Sequence, residues 1–175
     1  MADRLSPDAK LVIATHNVGK MREIKALFTG FDFTILSAAS LGLAEPDETE
    51  NSFIGNAVLK AKAAALVSGT ASLADDSGLS VAALNGAPGV YSARWAGPNR
   101  DFNIAMKAVE EAFLKTQSDD ARAEFICALA LVWPDGHAVC VEGKIQGTLK
   151  FPARGTRGFG YDPIFQPCGH NISFG

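Results

Sequence analysis

Residues 11–20 read Leu-Val-Ile-Ala-Thr-His-Asn-Val-Gly-Lys, and this stretch sets the start of the fold. Its first four residues are an apolar run typical of a buried strand. After a short polar turn the spacing of apolar residues becomes helical, with Met21, Ile24, Leu27 and Phe28 in one stripe. The chain therefore opens with a strand, a turn and an amphipathic helix.

The same alternation continues along the chain. Residues 33–36 predict a second strand, and residues 37–51, which we call the acidic loop, contain four carboxylates. An alanine-rich helix is expected from Ser52 to about Val67, with Gly69 as its stop signal.

Further elements are expected in the second half of the chain. A strand at 73–76 ends in a possible turn and resumes at 79–81, and a rigid turn follows at 85–89. A helix is expected over 101–115, and the residues on one of its sides are Ile104, Ala105, Ala108, Val109, Ala112 and Phe113. The rest of the chain is predicted to form a hairpin of strands 123–133 and 138–145, a loop over 155–160 and a strand over 161–165. We expect one domain over residues 1–175.

Composition narrows the class of protein. Hydrophobic residues make up 47% of the 175 positions and charged residues 20%, which is ordinary for a globular protein. No apolar run approaches the ~20 residues of a membrane span, and the first eight residues lack the apolar core of a signal peptide. A net charge of −3 argues against a nucleic-acid partner, because such proteins usually carry a basic patch.

The cysteines indicate the compartment. Cys127, Cys140 and Cys168 are far apart and have no partner at zinc spacing. Neither a disulfide framework nor a zinc site is expected, and a reducing cytoplasm fits best.

The first candidate for chemistry is a pair of adjacent carboxylates. Asp75 and Asp76 precede Ser77 and Gly78, and two such carboxylates repel each other unless a cation or hydrogen-bond donors lie near. Hard oxygen ligands of this kind suit Mg²⁺. Because side chains alternate along a strand, the two should point to opposite faces or into a bend. A plain turn at a strand end is the alternative.

A candidate anion site lies at the start of the first helix. Residues 15–20 are expected to place free backbone N–H groups and a lysine at a helix N-terminus, where an anion can bind. The segment is not a Walker loop, since Ala14 and Met21 stand where glycine and Ser or Thr are required. The alternative is that Asn17 caps the helix and Lys20 is solvated.

The second helix and the acidic loop contain further candidates. Asn56 and Lys60 share one helix face at i, i+4 spacing, and Lys60 is either a phosphate ligand or a solvated side chain. Asp47 and Glu48 either join Asp76 at a metal or keep an exposed loop soluble.

Aromatic residues near the end of the chain suit a flat ligand. Phe159 and Tyr161 alternate with glycines in residues 158–163. An aromatic face can stack on a base for about 1–3 kcal/mol, while core packing is the alternative. Arg94 either contacts a phosphate or pairs with the acidic cluster.

Together these segments resemble the inosine/xanthosine triphosphate pyrophosphatase family, which splits non-standard purine nucleoside triphosphates into a monophosphate and pyrophosphate. The matching stretches are residues 15–20, the acidic loop, 56–60, 74–79, 86–94 and 158–163. The resemblance implies an elongated α/β fold with a mixed, twisted sheet, flanking helices and a central cleft between two lobes. It also implies a homodimer.

The resemblance further implies roles for single residues. Asp76 would be the catalytic proton acceptor and a ligand of Mg²⁺, with Glu48, ranked ahead of Asp47, as a second metal-linked carboxylate. The implied substrate-binding residues are Thr15, His16, Asn17, Val18, Gly19, Lys20 and Lys60 at the triphosphate, Ser77 as a further contact, and Phe159, Gly160, Tyr161 and Asp162 around the base.

The chain departs from the family pattern in two ways. The family usually continues with a Ser-His-Arg segment that reaches the base, whereas this sequence stops at Gly175 and His170 has no following arginine. Base specificity is therefore less well supported than phosphate binding. Gly55 is the second departure, because relatives often carry an acidic residue there and glycine is poor in a helix interior.

Three other functions remain open. An orthophosphate-releasing phosphatase is the nearest rival, although its aspartyl type expects two aspartates separated by one residue. A pyrophosphatase for modified pyrimidine nucleotides shares the same architecture. A nucleotide-binding module, inactive through C-terminal truncation, would bind without turnover.

Overall fold

The computed structural model describes residues 5–6 and 8–175. Within these residues it contains three α-helices and six β-strands. The helices are α1 (Val18–Leu27), α2 (Phe53–Ser68) and α3 (Phe102–Thr116), and the strands are β1 (Lys10–Ile13), β2 (Thr34–Ser37), β3 (Ser72–Val81), β4 (Arg122–Val132), β5 (Ala138–Leu149) and β6 (Phe165–Pro167). The predicted α/β class is confirmed.

The strands form one mixed sheet in the order β2-β1-β3-β4-β5-β6. Strand β1 runs parallel to β2 and to β3, with Val12 opposite Ser72 and Ile13 opposite Leu73. Strand β6 runs antiparallel to β5. The mixed sheet that the resemblance implies is therefore confirmed.

The chain divides into two compact units. The first comprises Met1–Asp76 and Ala128–Val141, and the second comprises Ser77–Cys127 and Glu142–Gly175. The boundary crosses β3 between Asp76 and Ser77.

In the first unit, α1 packs on the sheet. Its Ile24 joins Leu11, Ile13 and Leu73 in one buried cluster. Because side chains alternate along a strand, Asp75 shares the sheet face of Leu73, whereas Asp76 lies on the other face. The fold thus separates the two neighbouring carboxylates.

Side-chain and glycine caps explain the bounds of α2. Ser52 accepts a hydrogen bond from the backbone N–H of Gly55, which is a standard N-cap. Gly69 ends the helix with φ of 63°, a conformation that favours glycine. Both ends agree with the prediction within a residue.

In the second unit, α3 covers a core that includes Tyr161 and Phe165. Ala105 and Val109 are buried, but Ile104, which was expected on the same side of the helix, is 58% exposed, so its assignment to that side was wrong. Helical spacing predicts a stripe without fixing its centre, and here the stripe is centred on Ala105 and Val109.

Two other boundaries differ from prediction. Strand β3 continues through the carboxylate pair without a turn, because the motif is paired within the sheet and its charges are satisfied. The strand expected over 161–165 begins only at Phe165, after a 3₁₀ turn at Asp162–Ile164. Pro163 lies in that turn, where its missing N–H costs no ladder hydrogen bond. In the described part of the chain, no helix is long and apolar enough to cross a membrane.

Candidate active site

The site is built around Asp76, which β3 presents toward α2. The side chain is buried, with the residue only 5% exposed. Its Oδ2 accepts a hydrogen bond of 3.2 Å from the Asn56 amide, and its Oδ1 lies 3.5 Å from Lys60 Nζ. The spacing of Asn56 and Lys60, one turn apart on α2, lets both reach the same carboxylate.

Lys60 is a buried ion-pair partner. The residue is 7% exposed, and its ammonium lies 2.6 Å from Glu48 Oε1 as well as close to Asp76. It therefore bridges the acidic loop and β3, and the interpretation of Lys60 as a solvated side chain was wrong.

Asn56 has partners at both ends of its amide group. Its Oδ1 accepts the backbone N–H of Glu50 at 3.0 Å, while its Nδ2 donates to Asp76. The residue is fully buried, with 0% exposure. The polar groups of this side chain are thus satisfied by the loop on one side and by the strand on the other.

The electrostatics of the two central groups follow from burial and from each other. Burial raises the pKa of the Asp76 carboxyl above its usual value, and the neighbouring Glu48 carboxylate adds to this, against the opposing effect of Lys60. Burial disfavours the Lys60 charge, but the carboxylates of Asp76, Glu48 and Asp75 outweigh it, so the pKa of Lys60 also lies above its ordinary value. Asp76 is therefore a stronger base than an exposed aspartate.

Asp75 points to the other sheet face and pairs with Lys20 of α1. Sequence analysis proposed Lys20 for a phosphate and assigned Asp75 no partner. The ammonium of a lysine has three donors, so this ion pair leaves room for a second partner. The alternative of a solvated Lys20 was wrong.

The N-terminus of α1 is capped by the side chain of Asn17. Asn17 Oδ1 accepts the backbone N–H groups of Gly19 and Lys20 at 2.9 and 3.2 Å, and Thr15 Oγ1 accepts the N–H of Asn17. The expectation of free N–H groups was wrong for positions 19 and 20, because the cap satisfies them. The role of residues 15–20 at a phosphate stays a prediction.

His16 contacts the acidic loop, which carries Glu48. Its Nε2 lies 3.0 Å from the carbonyl oxygen of Leu43, and because a carbonyl only accepts, Nε2 carries the proton. Its Nδ1 lies 3.7 Å from Glu45 Oε2. His16 thus connects the turn after β1 to the acidic loop.

The residues present fit a hard divalent cation in part. Two carboxylates, Glu48 and Asp76, converge on one positive charge, and their mutual repulsion is what a cation would relieve. Among the described residues there is no group of three or more His, Cys, Asp or Glu side chains placed to hold a metal. Protein oxygens would therefore supply only part of the coordination. Asp47 is exposed, and its role as a ligand stays a prediction.

The predicted base-binding segment lies in the second unit and behaves as a structured loop. Phe159 is 45% exposed, and its backbone N–H donates to Asp162 Oδ2 at 2.7 Å. Gly158 has φ of 72°, and a Cβ there would collide with the Asp162 carboxylate. Asp162 thus holds the backbone that presents the Phe159 ring.

Tyr161 is a core residue. It is 2% exposed, its ring packs edge-on against Phe102, and its hydroxyl donates to the carbonyl of Ser92 at 2.8 Å. Burial raises the pKa of the Tyr161 phenol. The ring of Tyr161 is buried in this core, so its place at a base pocket stays a prediction. The roles of Gly160 and of the half-buried Ser77 at the substrate also stay predictions. Arg94 lies 4.8 Å from the ring centre of the exposed Tyr91.

Sequence reasoning missed the partner of Asp75 and the link from Asn56 to Asp76. The helical spacing of Asn56 and Lys60 indicated a shared face, but no local signal identifies which strand that face meets. These contacts are tertiary, and the fold alone supplies them.

A mixed α/β sheet that carries a buried carboxylate beside lysines and a second carboxylate points to the class of hydrolases that act on phosphate anhydrides. A sequence model of the Ham1 family matches residues 11–175, and the chain belongs to the Ham1 family.

Relatives and solved structures agree with this assignment. The dITP/XTP pyrophosphatase of Caulobacter vibrioides is 64% identical over 167 residues, which cover 95% of this chain and 86% of that protein. The dITP/XTP pyrophosphatase of Rhodospirillum centenum is 59% identical over 167 residues, with 94% and 81% covered. A solved HAM1 protein from Coxiella burnetii has a TM-score of 0.89 at 34% identity and covers 95% of this chain and 85% of its own. The resemblance stated from the sequence is confirmed.

Proposed function

We propose that the protein hydrolyses the non-standard purine nucleoside triphosphates ITP, dITP and XTP to the monophosphate and pyrophosphate, and so removes them from the nucleotide pool. The observation that carries this proposal is the buried Asp76, held by Asn56 and Lys60, in a chain of the Ham1 family whose relatives are named dITP/XTP pyrophosphatases.

Asp76 accepts the proton of the water that attacks the α-phosphorus. Its raised pKa makes it a better proton acceptor near neutral pH. The hydrogen bond from Asn56 to Oδ2 fixes the plane of the carboxylate. General-base catalysis of this kind contributes about 10²- to 10⁴-fold to a rate.

The two lysines neutralise the triphosphate. Lys60 and Lys20 are already held by carboxylates on β3, so their positions are set before the substrate arrives. Such preorganised charges cost little reorganisation when negative charge moves to the leaving group.

Nucleoside triphosphate pyrophosphatases generally use a divalent metal, and we propose Mg²⁺ here. Glu48 and Asp76 would hold it together with phosphate oxygens and water, the mixture of ligands that Mg²⁺ prefers. When bound, the metal would stabilise charge on the pyrophosphate leaving group.

The base is held by the loop around Phe159. The exposed ring of Phe159 stacks on the purine, and Asp162 supports the loop. A mismatched donor or acceptor costs about 1–3 kcal/mol once buried, so rejection of ATP needs more than one contact to the 6-position of the base.

We further propose that the protein is a homodimer and acts in the cytoplasm.

The deciding experiment measures pyrophosphate and orthophosphate released from ITP and from ATP, with and without Mg²⁺. We expect Mg²⁺-dependent pyrophosphate from ITP in clear excess over ATP. Orthophosphate as the first product would contradict the mechanism, and preference for modified pyrimidine triphosphates would reassign the substrate. Tight nucleotide binding without any product would indicate that the protein is a nucleotide-binding module and not an enzyme.

A further inference from the structure

We propose that Gly55 and Asn56 form a clamp at the start of α2 that holds the end of the acidic loop and thereby positions both Glu48 and Asp76. Asn56 is then a positioning residue for the reaction, although it touches no substrate. The link to turnover rests on the proposed function, whereas the clamp itself can be tested without any turnover.

The orientation of the Asn56 amide is dictated by its partners. The backbone N–H of Glu50 can only donate, so the oxygen of the amide must face it at 3.0 Å. The amide nitrogen must then face Asp76 Oδ2, at 3.2 Å. One rigid, planar side chain therefore ties the loop backbone to the carboxylate on β3.

Gly55 allows the loop to approach this closely. A Cβ at position 55 would lie 2.7 Å from Cβ and 3.0 Å from Cγ of Glu50. Non-bonded carbon atoms in good contact are about 3.5–4.0 Å apart, so in this chain a side chain at position 55 requires Glu50 to shift. Gly55 lies in the first turn of α2, after the N-cap Ser52. Glycine destabilises this end of a helix less than it destabilises a helix interior.

The same stretch of loop is also held at its other end. His16 contacts the carbonyl of Leu43 at 3.0 Å, and Glu48, between the two anchors, pairs with Lys60 at 2.6 Å. Releasing Glu50 would therefore leave the position of Glu48 to its ion pair with Lys60 and to the anchor at Leu43.

Burial separates this role from substrate binding. Asn56 is fully buried, and both ends of its amide are occupied by protein groups. A buried polar side chain that joins a loop to a catalytic group acts through the position of that group.

The experiment compares three variants with the wild-type chain: Asn56→Ala, Gly55→Ala and, as a matched control, Ser52→Ala. The control weakens the same helix N-terminus, because it removes the cap, but leaves the contacts of Asn56 in place. For each variant we would measure amide hydrogen exchange at Glu50 by NMR, thermal stability, and kcat and KM for ITP.

We expect exchange at Glu50 to speed up by about tenfold or more in Asn56→Ala and Gly55→Ala. In Asn56→Ala, kcat should fall by about tenfold or more while KM stays within about threefold. Ser52→Ala should lose thermal stability while its Glu50 exchange and kcat stay near the wild-type values.

Unchanged exchange at Glu50 in Asn56→Ala would overturn the clamp. If Ser52→Ala lost kcat as Asn56→Ala does, with both losses in proportion to the loss of thermal stability, the positioning role would be overturned. If Asn56→Ala does not fold, Asn56→Ser, which keeps a small polar group, takes its place with the same expected split. If the wild-type chain releases no pyrophosphate from any purine triphosphate, the proposed function fails, and exchange at Glu50 still decides the clamp.

Discussion

Lys60 donates a hydrogen bond of 2.6 Å to Glu48, and the same ammonium lies 3.5 Å from Asp76. One buried positive charge thus holds two carboxylates from different parts of the chain close together. An ion pair of this kind is a weak argument for stability, because desolvation offsets the attraction, but it fixes positions. In the proposed function, this ion pair holds the Lys60 ammonium in place before the triphosphate binds.

Removing Lys60 alone should destabilise the protein. Lys60→Met leaves Glu48 and Asp76 facing each other, and we expect a loss of about 3 kcal/mol in the free energy of unfolding, since an unpaired buried charge is costly. The double variant Lys60→Met with Glu48→Gln should recover part of that loss. Urea unfolding of the single and double variants measures the difference, and equal stabilities would show that repulsion between the two carboxylates is negligible.

Asp76→Asn tests the proton acceptor. An amide at this position keeps the size of the side chain but cannot take a proton, so turnover of ITP should fall by about 10²-fold or more. Nucleotide binding measured by calorimetry should remain detectable, because Lys20 and Lys60 are unchanged. Near-normal turnover would remove Asp76 from its proposed role.

Particular elements show how far the sequence predicts this structure. Strand β1 and helix α1 were predictable because the apolar spacing changes within residues 11–20, and the bounds of α2 follow from Ser52 and Gly69. At the carboxylate pair the sequence left a turn and an extended strand open, because Asp-Asp-Ser-Gly favours a turn locally, and the structure has the extended strand. Tertiary context here outweighs local preference.

The sequence predicts the residues of the site better than it predicts their contacts. The sequence identified Asp76, Lys60 and Glu48 as candidates, and the structure brings these three together. It did not indicate that Asn56 joins Glu50 to Asp76. That contact depends on how a loop returns to a helix N-terminus, which no periodic pattern encodes.

Glu48 and Asp47 should differ in their effect on the metal requirement. Glu48→Gln removes a carboxylate that lies beside Lys60, so the Mg²⁺ concentration for half-maximal activity should rise by about tenfold or more. Asp47 is exposed, and Asp47→Asn should shift it far less. Titration of Mg²⁺ at saturating ITP compares the two, and a larger shift in Asp47→Asn would reverse their ranking.

Phe159 should act on binding and not on chemistry. Its ring is exposed, and loss of a base-stacking face costs about 1–3 kcal/mol. Phe159→Ala should therefore raise KM for ITP by about tenfold or more with little change in kcat, and Phe159→Trp should keep the wild-type KM. An unchanged KM in Phe159→Ala would mean that the ring does not meet the base.

Tyr161 should make the stability of the protein sensitive to alkaline pH. In the folded chain burial raises the pKa of its phenol above the ordinary 10.0, while the unfolded chain ionises near that ordinary value. The unfolded state therefore binds fewer protons as pH rises above 10, and the free energy of unfolding falls by up to about 1.4 kcal/mol per pH unit. This contribution is fully present below pH 10 and is lost as pH rises toward the folded-state pKa.

Tyr161→Phe isolates this effect. Near pH 8 the variant should be less stable than wild type by about 1 kcal/mol, because the hydrogen bond from the hydroxyl to the carbonyl of Ser92 is lost. Near pH 11 the gap should close or reverse, since phenylalanine has no proton to lose. The other ionisable groups are the same in both proteins, so their contributions cancel in the comparison. Urea unfolding followed by circular dichroism measures the gap, and a gap that stays constant between these pH values would show that the phenol is not shielded from solvent.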